Sequence, residues 1–131
     1  MPHLDVALCP CGSAEPYAAC CARWHAGAWH LQAPTALLLM RSRYSAYVMG
    51  LRDYLMATWH PATRPASIQA DEQGWRWLGL EIKASAVIDA DHATVEFVAR
   101  SKFGGRAHGL HETSRFERLA GRWFYVDGDT G

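Results

Sequence analysis

Along the second half of the chain, apolar and polar residues alternate with the period of a β-strand. In residues 75–89, WRWLGLEIKASAVID, the residues Leu78, Leu80, Ile82, Ala84, Ala86 and Ile88 share one side. Glu81, Lys83 and Ser85 share the other. Residues 93–103 repeat the pattern, with Val95, Phe97, Ala99 and Phe103 opposed to Glu96, Val98, Arg100 and Lys102. A third run covers 107–118 and a fourth, WFYVD, covers 123–127. The segments DADH, Gly104-Gly105 and LAGR separate the runs and read as hairpin turns. The first half has a helical period instead. Residues 34–49 place Leu37, Met40, Tyr44 and Tyr47 at three-to-four spacing, with Pro34 in the first turn and Gly50 as the stop. A short helix over 51–59 puts Leu51, Tyr54, Leu55 and Thr58 on one face and ends before Pro61. Helices followed by an antiparallel meander predict an α+β domain with the helices on one face of the sheet.

Residues 9–21, CPCGSAEPYAACC, have no such period and hold all four cysteines of the 131-residue chain. The spacing C-x-C-x8-C-C, with Gly12, Ser13 and Pro16 between the pairs, suits a backbone reversal that brings Cys9, Cys11, Cys20 and Cys21 together. Four thiolates around one ion form a closed, structural metal site, with zinc the first expectation and iron the second. A disulfide between adjacent cysteines has poor geometry. His25 and His30 follow closely as possible substitute ligands, and Trp24 and Trp29 as residues that seat the segment on the main domain. Gly27 and Pro34 rule out one long helix between the two parts.

The third strand carries an anomaly. Period two places Glu112 and Ser114 on the same face as Leu110 and Phe116, which belong in the core. An inward carboxylate needs a partner. Arg41, Arg43, His60, Tyr44 and Tyr47 are the candidates, and a charge-assisted contact from Arg41 or Arg43 to Glu112 is expected. Three readings stay open: a buried ion pair that orders the domain, a pocket acid or base with Arg41, His60 and Tyr44 around it, or a strand whose face is reversed by a bulge. Composition narrows the classes. Lys plus Arg and Asp plus Glu are 13 each, so no charge excess marks a nucleic-acid partner. No apolar run reaches the ~18 residues of a membrane span, and the start has no signal-peptide pattern. The expected location is the cytoplasm, where clustered cysteines favour metal over disulfides.

The cysteine segment resembles the SEC-C motif, a small metal-binding knuckle. The later blocks MRSRYSAYVMG, DYLMATWHP, WLGLEI, FVAR, ETSRF and WFYVDG resemble, in order, the YchJ-like family. That resemblance implies a knuckle over residues 1–25 and a cone-shaped nuclear-transport-factor-2-like (NTF2-like) domain over 26–131. Many members carry a second SEC-C copy after this domain; the DGDTG end has none. The chain has no nucleophile elbow, phosphate loop, HExxH or dinucleotide fingerprint. Two functions follow as expectations: a metal-binding adaptor whose cone takes a small ligand or protein partner, or an isomerase- or hydrolase-type enzyme with its chemistry around Glu112.

Overall fold

The computed structural model describes residues 7–131. After a 3-10 turn at Tyr17–Ala19 come α1 (Ala22–His25), α2 (Ala36–Met49) and α3 (Arg52–Ala57). The strands are β1 (Arg76–Asp89), β2 (His92–Phe103), β3 (Arg106–Leu119) and β4 (Arg122–Thr130). They form one antiparallel sheet in the order β1-β2-β3-β4.

Helix α2 starts at Ala36, two residues later than its proline suggested. Thr35 supplies the cap, its Oγ1 accepting from Leu38 N–H at 3.1 Å. Pro34 therefore precedes the cap. At the other end Gly50 takes φ 71°. Leu51 N–H reaches Ala46 O at 2.8 Å and Gly50 N–H reaches Tyr47 O at 3.3 Å, which completes a Schellman motif. The helix is buried on more than its apolar stripe. Met40 and Tyr44 are buried as expected, but so are Leu39, Ser42, Arg43, Ser45 and Ala46. The small residues Ser42, Ser45 and Ala46 are fully buried, and α2 is flanked by α1, α3 and the sheet.

The hairpins follow the turn chemistry. Gly104 and Gly105 adopt φ 60° and 76°, and Ala120 and Gly121 adopt 50° and 79°, the left-handed pair that a two-residue hairpin turn requires. β2 and β3 pair without interruption from His92↔Glu117 to Phe103↔Arg106. β1 does not keep its expected face. Its register with β2 shifts between Trp77 and Gly79, between Ile82 and Ala84, and between Val87 and Asp89. The first shift turns Leu78 out to 52% exposure, while Trp77, Leu80 and Ile82 remain half-buried. Ala84, Ala86 and Ile88 are also exposed, because none of the described residues covers the far end of this edge strand. The core lies where α2 and α3 meet β2 and β3: Leu39, Leu55, Val95 and Phe116 are each at most 2% exposed. Burial on this scale stabilises by roughly 1.5–3 kcal/mol per side chain.

The segment after α3 closes the cone. Thr58 O accepts from Tyr125 N–H at 2.9 Å, and His60 N–H donates to Tyr125 O at 2.7 Å, a parallel bridge to β4.

Candidate metal centre and cone pocket

The cysteine segment folds back on itself. Cys9 N–H donates to Glu15 O at 2.8 Å and Tyr17 N–H to Ala7 O at 3.0 Å. Gly12, at φ 82°, makes the tight turn, and a Cβ there would press to 3.1 Å from Leu80 O. The knuckle thus lies directly on β1. The four cysteine sulfurs all lie within 4.8 Å of one another, and each cysteine is at most 5% exposed. Cys11 and Cys20 sulfurs are 3.6 Å apart and Cys20 and Cys21 sulfurs 4.0 Å. A tetrahedral ion with metal–sulfur bonds of about 2.3 Å needs sulfurs about 3.8 Å apart, so the donor set fits. No disulfide joins them.

The four sulfurs do not hold their protons equally. The nearby Cys21 thiol draws the Cys11 pKa down to about 4, and the same proximity together with burial pushes Cys21 up. Burial also raises Cys9. Donors collect at the rim. Arg41 Nη1 donates to Cys11 O at 2.8 Å and lies 4.0 Å from Cys11 Sγ. Ser13 Oγ is 3.1 Å from Cys20 Sγ. A four-thiolate site carries excess negative charge, and such neighbours offset it.

His25 links this knuckle to α2 without joining the sulfurs. Its Nε2 is 2.8 Å from Ser42 O, which can only accept, and its Nδ1 is 2.7 Å from Tyr17 OH. Nε2 therefore carries the proton that it donates to Ser42 O. Burial, the largest influence, pulls its pKa down, and the Ser42 carbonyl opposes this. Between the lowered folded value and the ordinary 6.5, the unfolded chain binds more protons. Stability contributed by His25 is then complete above about 6.5 and is lost as pH falls toward the folded value. An imidazole NMR titration should give a His25 midpoint below 6.5; a midpoint at or above it would mean a solvated ring. Of the two tryptophans expected to seat the knuckle, only Trp24 is buried, whereas Trp29 is 64% exposed.

The second constellation lies inside the cone, and it corrects the expected ion pair. Neither Arg41 nor Arg43 contacts Glu112. Two residues apart on a helix, they point about 200° from each other, and Arg43 faces the same interior as Glu112 with Tyr125 between them. Arg41 goes to the knuckle. Arg43, 3% exposed, donates from Nη1 to Leu55 O at 2.8 Å and to Thr58 Oγ1 at 2.7 Å. Its guanidinium lies 4.6 Å from the Tyr125 ring centre and 5.0 Å from that of Trp59. Glu112 is half-buried and takes hydroxyl donors instead: Ser114 Oγ at 2.7 Å and Tyr125 OH at 3.4 Å, both to Oε2. The carboxylate lies across β4 at Gly128, where any Cβ would overlap it. Ser114 and Phe116 are buried on the expected face, but Leu110, at the rim, is 43% exposed.

Glu112 and Tyr44 do line one cavity of about 120 Å³, together with Arg43, Tyr47, Trp77 and Tyr125. His60 does not. Its Nδ1 accepts from Ala62 N–H at 3.0 Å, so Nε2 carries the proton, 2.5 Å from Glu117 Oε1. The other oxygen of Glu117 meets His92 Nε2 at 3.2 Å. Tyr125, which joins Arg43 to Glu112, was not singled out in the sequence. Its signal was there: in WFYVD it shares a strand face with Trp123 by period two.

A buried four-cysteine knuckle seated on a helix-backed four-strand cone defines an NTF2-like protein with a SEC-C motif. The chain belongs to the YchJ-like family: the family described as "YchJ, middle NTF2-like domain" matches residues 35–128, and the SEC-C motif matches residues 7–23. A UPF0225 protein of Bordetella parapertussis is 57% identical over 98% of this chain and 96% of its own. One of Chromobacterium violaceum is 56% identical over 93% and 92%. Two solved structures share the fold. A SEC-C motif containing protein from Rhodopseudomonas palustris has TM-score 0.83 and 32% identity, covering 95% of this chain and 99% of that one. A second, from Psychrobacter arcticus, has TM-score 0.78 and 28% identity, covering 96% and 84%.

Proposed function

We propose that the protein is a metal-dependent binding protein in which Cys9, Cys11, Cys20 and Cys21 hold a structural zinc ion and the cone receives the ligand or partner. The observation that carries this reading is the convergence of four buried sulfurs within 4.8 Å. A site of four thiolates has no position for a reacting water, so its metal orders the knuckle rather than turning over a substrate. The sulfurs favour zinc, with iron second. Reduced thiols fit a cytoplasmic location; among the described residues no helix is long and apolar enough to cross a membrane. The likeness to proteins described as containing a SEC-C motif supports the same assignment of the knuckle.

An isomerase- or hydrolase-type enzyme with its chemistry at Glu112 is favoured by one feature, a carboxylate in a cavity with Tyr44 and Tyr125. Against it stand the small volume and the placement of His60 on Glu117 rather than beside Glu112.

Elemental analysis of protein purified without added metal should find about one zinc per chain, in line with one four-ligand site. A comparable amount of iron would reassign the ion. Absence of both, with four reactive thiols and an ordered knuckle, would overturn the metal assignment.

A further inference from the structure

Both charged walls of the cone cavity have unused hydrogen-bonding capacity. Arg43 is 3% exposed, yet only its Nη1 has hydrogen-bond partners among the described residues. Nε and Nη2 have none of ordinary length, Tyr47 being the polar side chain beside the guanidinium, and no carboxylate lies within ion-pair reach of it among those residues. On the opposite wall both donors to Glu112 among the described residues go to Oε2, so Oε1 receives none from them. Among the described residues, the polar atoms that are sealed and unpartnered are Trp59 Nε1, Trp75 Nε1 and Arg122 Nε. The free atoms of Arg43 and Glu112 are not among them and so border space rather than packed protein. Tyr125 sets the separation of the two charges. Its ring face lies 4.6 Å from the guanidinium carbon, and its hydroxyl is 3.4 Å from the carboxylate. Aromatic side walls complete the cavity: Tyr44 and Tyr47 rings stand 5.7 and 6.0 Å from that of Trp77.

We propose that this cavity is a binding site for a short amino-carboxylate, with its carboxylate at Arg43 Nε and Nη2 and its ammonium at Glu112 Oε1. The proposal rests on the reading of the cone as a binding module and names what it binds. Charge complementarity selects the class. A simple carboxylate would face Glu112 uncompensated, and a simple amine would face Arg43. A molecule charged at both ends satisfies both walls, and its methylene groups lie against the rings. Guanidinium and carboxylate match as a two-pronged pair. The cavity of about 120 Å³ holds about four waters at liquid density, so the molecule is short.

The test is an NMR titration of the full-length, metal-loaded protein with glycine, β-alanine and 4-aminobutyrate, with acetate and ethylamine as single-charge controls. At least one amino-carboxylate should give saturable shifts at the Trp77 indole and at the Ser114 and Tyr125 amides. It should bind at least about tenfold more tightly than either control. Glu112→Gln should weaken that binding about tenfold or more. Gly128→Ala, which displaces the carboxylate and leaves Arg43 untouched, should do the same. Equal response to acetate, ethylamine and the amino-carboxylates, or binding that survives both substitutions, overturns the proposal. Phenol serves as a neutral probe to separate it from the parent reading. Phenol shifts at Trp77 without amino-carboxylate shifts overturn this ligand class and keep the cone as a binding module. No shift from any probe overturns both.

Discussion

Removal of the metal should disorder residues 7–25, leave the sheet folded, and loosen α2. The knuckle has little else to hold it. Apart from Trp24, which packs into the main core, its buried residues are the four cysteines, with Tyr17 packed against them. So short a segment gains its folding free energy from metal binding, which amounts to roughly 10–16 kcal/mol in comparable zinc peptides. The sheet has its own core around Val95 and Phe116, so it should stay folded without the ion. Helix α2 stands between the two. Arg41 donates to Cys11 O and His25 donates to Ser42 O, so both contacts fall away when the knuckle melts. A charge-assisted bond of the Arg41 kind contributes about 1.5–3 kcal/mol and the neutral His25 bond about 1 kcal/mol. Hydrogen exchange after chelation, or on Cys20→Ser, should therefore show full loss of protection at 7–25 and partial loss along α2. Strand amides of β2 and β3 should stay protected. Unfolding of the whole chain would show that knuckle and cone are one cooperative unit; unchanged protection in α2 would show that Arg41 and His25 contribute nothing across the contact.

Features set by short-range chemistry were legible before the structure. The Gly104-Gly105 turn, the Gly50 helix stop and the β2 alternation each depend on residues a few positions apart, and each stands as read. The inward face of Ser114 and Phe116 was legible for the same reason, since β3 keeps an unbroken register with β2. β1 was not, because a bulge changes which residues face inward without changing the composition of the strand. Leu78 could not be told from Leu80 by period alone. The cysteine cluster was readable from spacing, but its support was not: Arg41 reaches Cys11 from thirty residues away. The Glu112 partner failed for a specific reason. The expectation that a buried carboxylate takes a cation ignored hydroxyl donors on its own and the neighbouring strand. Ser114 stands at i+2 on the same strand, and Tyr125, which pairs with Phe116 on β3, reaches the carboxylate with its hydroxyl.

Arg43→Ala should be among the most destabilising single changes in the cone, at about 3–5 kcal/mol, and Arg43→Met should cost clearly less. The buried guanidinium stabilises through contacts rather than through an ion pair. It holds the last turn of α3 by Leu55 O and Thr58 Oγ1, and it lies against the rings of Trp59 and Tyr125. Those contacts tie α2 to the segment that closes the cone on β4. Burial pulls the Arg43 pKa down, opposed first by Tyr47 and then by Tyr125, which is the signature of a cation held at a desolvation cost. Alanine removes the contacts and leaves a cavity as well. Methionine removes the charge, and with it the desolvation cost, while its flexible thioether keeps much of the packing. Lysine keeps the charge but not the planar fork that serves a carbonyl and two rings at once, so it should fall between alanine and methionine. Denaturant midpoints at unchanged m should therefore rank wild type, Met, Lys, Ala from most to least stable. Lysine equal to wild type would mean that charge alone suffices there. In a folded Arg43→Met protein the amino-carboxylate response should be lost although the Glu112 wall is intact. Stability and binding would then separate at one residue, which a purely structural arginine would not permit.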